Sequence, residues 1–240
     1  MTSIFNLIII TILSSLIFSG SIEKFTISEK LLNEVSISFS NDEVEIFSKD
    51  GYDYISENKN STIEEGFPAL PIYSFSYGVN PNKEYNVEFN ILSSHTIDNV
   101  NAYPYQSPKE EPTTLLVVND SFYESDLVYP INNISYNRSV IRGNEILTIE
   151  LIPFSFIPSS MELIVYDEIE IIIEETINKE NSSIIDKRSK TFQNIYENMI
   201  LDTFDNREID FQQPSILYIC GGSSLNYDYM DDLIHWRRQQ

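Results

Sequence analysis

Cysteine, histidine and positive charge are all scarce in this chain. Of its 240 residues one is a cysteine and two are histidines, and 15 lysines and arginines stand against 37 aspartates and glutamates. A lone cysteine, Cys220, cannot form an internal disulfide, so stability must come from a packed core. The histidines, His95 and His235, lie in unrelated contexts, whereas a zinc site needs three or four converging ligands. A formal charge of −22 repels phosphate backbones and anionic lipid, which argues against nucleic acid and membrane surfaces as partners. Cys220 ends an apolar run and reads as a small buried hydrophobe. His235 falls mid-helix in a solvated, charged stretch, so the two do not read as a nucleophile and its base. The glycines Gly221 and Gly222 lack the flanking glycines and the lysine of a phosphate-cradling loop. Acidic residues are plentiful, but those of "IEIIIEE" alternate with apolar ones, as on a solvated strand face. No catalytic, cofactor-binding or metal-ligating residue is expected.

Apolar content is not scarce. At 42% hydrophobic residues the chain can build a real core, in one large or two ordinary domains. Its first residues, "MTSIFNLIIITILSSLIFSGS", hold an apolar run from Ile4 to about Phe18 followed by small residues. That is the pattern of a secretory signal peptide over residues 1–21, cleaved before Ile22, although no lysine or arginine precedes the run. No other segment is long enough to span a bilayer. The mature chain is therefore expected to be secreted, or extracellular, and free of the membrane. Asn60, Asn119, Asn133, Asn137 and Asn181 stand in glycosylation sequons, a pattern that a chain rich in Asn and Ser also meets by chance.

From Ile22 to about Thr176 the punctuation is that of an all-β domain. Short alternating runs ("VSISF", "VEIF", "YDYI", "YNVEFNIL", "ILTIELI") are separated by Asn, Asp, Ser and Gly. Tyr85, Val87 and Phe89 fall on one face, and Asn86, Glu88 and Asn90 on the wet one. "MELIVYDEIEIIIEE" keeps the same period, and its excess of isoleucine marks a central strand. Strands at this spacing, with proline-rich connections, predict a mainly β fold, a β-sandwich or jelly-roll-like domain over residues 22–180.

Beyond Glu175 the character changes. Residues 181–213 read as a linker with a short amphipathic helix, in which Phe192, Ile195, Tyr196, Met199 and Ile200 share one face. Ile216 to Cys220 then form a short apolar run suited to a buried strand. The stretch that follows carries acids early and Arg237 and Arg238 late, the charge order that complements a helix dipole. A strand and a helix are two thirds of a βαβ unit, and the parallel strand that should follow is missing. Residues 214–240 thus read as the truncated start of an α/β domain.

Three stretches, in order, resemble one family. "EEGFPALPIYSFSYGVNP" is similar to the glycine-x-proline-x-leucine-proline signature that opens the prodomain of gingipain-like cysteine peptidases. "VYPINNISYNRSVIRGNEILTIELIPFSFIPSSMELIVYDEIEIII" resembles the later prodomain pattern of Tyr-Pro, Arg-Gly, two spaced prolines and a final Leu-x-Val-Tyr strand. "ILYICGGSSLNYDYMDDLIHWRRQQ" looks like the first strand and helix of the caspase-like catalytic domain. The resemblance covers roughly residues 35 to 240. It implies the front of a secreted cysteine endopeptidase zymogen, whose prodomain keeps the enzyme latent, assists its folding and is removed by proteolysis. The implied partner is its own or a related catalytic domain. The family's catalytic histidine and cysteine would come after Gln240, so the chain as it stands should not hydrolyse peptides. In such prodomains a basic residue can occupy the specificity pocket, and Arg138 and Arg142 are the candidates. Lys187, Arg188 and Arg207 are candidate processing sites in exposed connections. The competing expectation is a stand-alone exported β-sandwich that binds a partner or inhibits a related peptidase.

Overall fold

A computed structural model describes residues 24–41, 44–55, 60–108, 116–141, 144–178, 190–202, 222 and 228–239. The stretch expected as a signal peptide, Arg142, Lys187, Arg188, Arg207 and the strand expected at Ile216–Cys220 lie outside the described residues.

The isoleucine-rich stretch forms the longest strand, β10 (Glu162–Asn178), and it is central. Leu163 and Val165, then Ile169, Ile171 and Ile173, are buried with the period of two, which the register irregularity around Asp167 interrupts. Along one side it pairs antiparallel with β6 (Lys83–Asp98). Its other side is shared end to end, first by β9 (Phe154–Ile157), then by β2 (Glu34–Ser40), which carries β1 (Phe25–Lys30) at its outer edge. A second sheet has the order β5 (Tyr73–Gly78), β8 (Asn144–Leu151), β7 (Ile134–Ile141), all antiparallel. The two sheets share one core. Phe25 of β1 meets Phe75 of β5 at 4.5 Å between ring centroids, and Phe39 of β2 meets Tyr73 at 5.2 Å. Leu147, Ile149 and Leu151 of β8 complete it from the second sheet. Each buried aliphatic side chain of this kind stabilises the fold by about 1.5–3 kcal/mol.

The expected wet face of β6 is present: Val87 is buried while Glu88 and Asn90 are exposed. The strand runs well beyond the alternating segment, because β10 gives it a partner as far as Asp98. A hairpin of β3 (Ile46–Lys49) and β4 (Tyr52–Ile55) closes through Asp50 and Gly51, both at positive φ (55° and 84°), the two-residue turn whose twist matches that of paired strands. β4 runs parallel to Ala102 through an isolated bridge.

Three helices are described: α1 (Asp120–Tyr123), α2 (Lys190–Met199) and α3 (Asp228–Arg238). Asn119 caps α1, its side chain accepting from the Phe122 N–H. α2 occupies the amphipathic segment, and α3 the segment with the acid-to-base charge order. No helix among the described residues is long and apolar enough to cross a membrane.

Candidate functional site

Gly66, Pro68 and Leu70 of the glycine-proline signature each have a defined place in the structure. Gly66 adopts φ +83°, and a β-carbon there would lie 3.0 Å from the backbone nitrogen of Asn119, so only glycine fits. The carbonyl of Pro68 accepts the Thr62 hydroxyl at 2.6 Å, and that hydroxyl oxygen accepts the Leu70 N–H at 3.0 Å. Leu70 is fully buried. Backbone hydrogen bonds join this segment to Tyr103 and Tyr105, and an aromatic cluster of Phe67, Phe122 and Tyr129 packs beneath it.

Beside the signature, Gln106 spans to Val117. Its amide NH₂ donates to the Val117 carbonyl and its carbonyl accepts the Val117 N–H, both at 2.8 Å, copying a pair of strand hydrogen bonds. A cavity of 280 Å³ opens next to it, lined by Tyr54, Tyr103 and Tyr105 together with Ser61 and Pro71. Tyr54 and Tyr103 stack at 4.2 Å. Burial and the neighbouring Tyr103 phenol push the Tyr54 hydroxyl up to about 12.

At the far end of β10 lies a more polar cavity of 390 Å³, lined by Lys30, Glu34, Tyr77, Lys83, Glu175 and Asp202 among others. Its charges are arranged in pairs: Lys30 with Asp202, and Lys83 with Glu175. Tyr85 donates to Glu175 at 3.0 Å and accepts the Asn80 N–H at 2.7 Å. Burial raises the Tyr85 phenol and pushes that of Tyr77 up to about 12, helped by the carboxylates of Asp202 and Glu175 beside Tyr77.

Arg138 stands on β7 against this same corner. Its guanidinium donates to Glu145, and to the backbone carbonyls of Lys83 (2.6 Å), Asn80 and Pro81 (both 3.2 Å). It also lies over the Tyr85 ring at 6.0 Å. The arginine expected as an inhibitory prong is thus held inside the chain's own fold, pinning the turn between β5 and β6 to the second sheet. Presenting it to a pocket elsewhere would require surrendering each of these bonds.

Neither histidine sits in a catalytic constellation. His95 Nδ1 meets the Asp167 carboxylate at 2.8 Å across the β6–β10 pair, on the surface. His235 is exposed on α3 and contacts Gln239. Among the described residues no group of three or more metal-ligating side chains converges. What the described residues offer is a packed β body whose glycine-proline segment is hydrogen-bonded in place. The comparisons agree with that form. The family model Propeptide_C25 matches residues 34–207, well over half of the chain.

The chain belongs to the Propeptide_C25 family, the gingipain propeptides.

Two solved structures share its fold. A chain of the complex of the pro- and mature domains of RgpB from Porphyromonas gingivalis has a TM-score of 0.58 at 21% identity, covering 74% of this chain and 96% of that one. A structure on the zymogenic latency of gingipain K from the same organism has a TM-score of 0.53 at 17% identity, covering 63% and 92%. No curated protein matches the chain.

Several features of this body escape sequence reading. The docking of Tyr196, Ile200 and Asp202, described below, and the Gln106–Val117 clamp depend on partners distant in the chain. Only the amphipathic spacing of α2 signalled that something there had to be covered.

Proposed function

We propose that this propeptide body keeps a gingipain-like cysteine endopeptidase latent. The observation that carries the reading is the family match across residues 34–207. It is supported by likeness of fold to a propeptide in complex with its mature domain. The chain is read as the front of a secreted zymogen, residues 1–21 directing export and the catalytic histidine and cysteine following Gln240. A folded β body that covers the cleft excludes substrate and, because it binds only the folded enzyme, stabilises that enzyme by mass action and assists its folding. Lys187, Arg188 and Arg207 are the candidate positions at which proteolysis would process the zymogen. Arg138 and Arg142 are the candidates for the specificity pocket, and Arg138 would have to leave its bonds within the fold to reach it.

The test is inhibition in trans. The purified chain, added to a gingipain-type cysteine endopeptidase, should slow hydrolysis of a peptide substrate in a dose-dependent way and raise the enzyme's melting temperature. Absence of both effects against the chain's own catalytic domain would overturn the latency reading. Export is checked separately: expression in a secreting host should yield a mature chain beginning at Ile22.

A further inference from the structure

The stretch that reads as a linker is built into the β body. α2 places Tyr196 and Ile200, which are 7% and 6% exposed, against Ile146 at 1%, with Ile141 and Phe192 packed alongside. Ile146 lies on the outer face of β8, opposite Leu147 and Ile149, and would face water without this cover. The chain then turns along the outer edge of β5. Ile200 bridges in parallel to Ser76, the Leu201 N–H donates to the Ser76 carbonyl at 2.8 Å, and the Gly78 N–H donates to the Asp202 carbonyl at 2.7 Å. Leu201 packs against the main core, and the Lys30 ammonium holds the Asp202 carboxylate from the other sheet. Residues 200–202 therefore act as a short fourth strand of the second sheet, satisfying backbone groups that an open edge would leave to solvent.

We infer that residues 190–202 are a strap that keeps the propeptide body attached to whatever follows Asp202, even when the chain is cut before Lys190. This rests on the propeptide reading and deepens it, because the basic candidates for processing fall on opposite sides of the strap. A cut near Lys187 or Arg188 leaves the strap seated, held by its apolar contacts, its backbone bonds and its ion pair. The product is a nicked but intact complex, and latency survives. A cut after Asp202, near Arg207, leaves the strap with the body and severs the connection. The link through the strap is thus lost only at the second position, whichever is cut first.

The test uses the full chain with a recognition sequence for a site-specific protease inserted either between residues 182 and 186 or between residues 204 and 210. After cleavage at the first insertion the two fragments should co-elute on size exclusion and appear as one species by native mass spectrometry. After cleavage at the second they should separate. Fragments that part after the first cut, or stay together after the second, would overturn the proposal. In the first insertion background, Tyr196→Ala with Ile200→Ala should weaken association of the fragments at least about 30-fold, as deletion of buried side chains does. Should that variant fold poorly, hydrogen exchange on the uncut parent decides. The Gly78 and Leu201 amides should be protected to the level of the β5–β8 pairing, and rapid exchange at those two with the sheet otherwise protected would sink the strap. The readout is association of fragments and not enzyme inhibition, so the strap and the latency reading can fail independently.

Discussion

Arg138 and Glu145 face each other across the β7–β8 pair, with both Nε and one terminal guanidinium nitrogen on the same carboxylate oxygen, at 2.7 and 2.5 Å. The two side chains are 20% and 14% exposed, so this is a largely desolvated pair whose remaining donors are taken by the turn carbonyls of Asn80, Pro81 and Lys83. Arg138→Ala would remove the ion-pair partner of Glu145 and the side-chain donor to those carbonyls, and should destabilise the chain by about 2–3 kcal/mol in urea denaturation. Arg138→Lys should recover little of this, because one ammonium cannot reach four acceptors set in a fork. Inhibition in trans should fall only in proportion to the unfolded fraction. A stable Arg138→Ala variant that has lost all inhibition would show instead that this arginine enters the enzyme.

The contrast between Arg138 and β10 shows what a sequence reading can reach. β10 was legible because its signal is local: isoleucine at alternating positions needs a strand, and a run rich in isoleucine suits a central, buried one. Its two flanking pairings, β6 on one side and β2 with β9 on the other, follow from that centrality. Arg138 was legible only as a basic residue in a region between strands. Its carbonyl partners lie 55 to 58 residues earlier in the chain, and no periodicity encodes such a meeting. The strap has the same character: the spacing of Tyr196 and Ile200 announced an apolar face, but the β5 edge that receives Leu201 and Asp202 is more than a hundred residues upstream. A connection rich in polar residues hides a short bridging strand, because two or three residues carry no period.

Two glycines with nearly equal φ should respond differently to alanine. Gly66 and Gly51 sit at +83° and +84°, so both substitutions carry the backbone strain of a side chain in the left-handed region. At Gly51 the new methyl meets nothing within 4 Å, whereas at Gly66 it lies 3.0 Å from the Asn119 nitrogen and 3.4 Å from the Val118 carbonyl carbon. Gly51→Ala should cost about 1 kcal/mol, and Gly66→Ala at least about twice that, since backbone must shift as well. Paired denaturation curves decide it, and equal losses would mean that the Gly66–Asn119 approach relaxes freely.

Alkaline stability should be governed by tyrosines. Burial, with neighbouring phenols or carboxylates, pushes Tyr54 and Tyr77 up to about 12 and raises Tyr85, Tyr123 and Tyr129. A phenol raised on folding contributes fully below its unfolded value of 10.0, where both states are neutral. As pH climbs from 10 towards 12 the unfolded chain ionises first, and stability is lost. Phenolate absorbance should therefore still be rising above pH 10, together with loss of the far-ultraviolet β signal. A single wave near pH 10 with the sheet intact would contradict this.

Asn133 and Asn137 are two asparagines in sequons on and beside the same strand, and their surroundings separate them. The Asn133 amide NH₂ donates to the carbonyls of Ile152 and Phe154 at 2.9 and 2.8 Å, stitching β7 to the corner between β8 and β9, while Asn137 is exposed. Asn133→Asp keeps the shape but replaces the donor with a carboxylate aimed at two carbonyls, which should cost about 2–4 kcal/mol. Asn137→Asp should stay within about 0.5 kcal/mol of the parent, as surface changes do. The same logic applies to a glycan, which must be attached through the amide nitrogen that Asn133 already commits. On the folded chain an attached sugar is compatible with the Asn137 position and at Asn133 costs at least one of the Ile152 and Phe154 bonds, since the substituted amide keeps a single N–H. Denaturation of the two aspartate variants side by side measures the difference, and a mild Asn133→Asp would mean that the corner holds without its stitch.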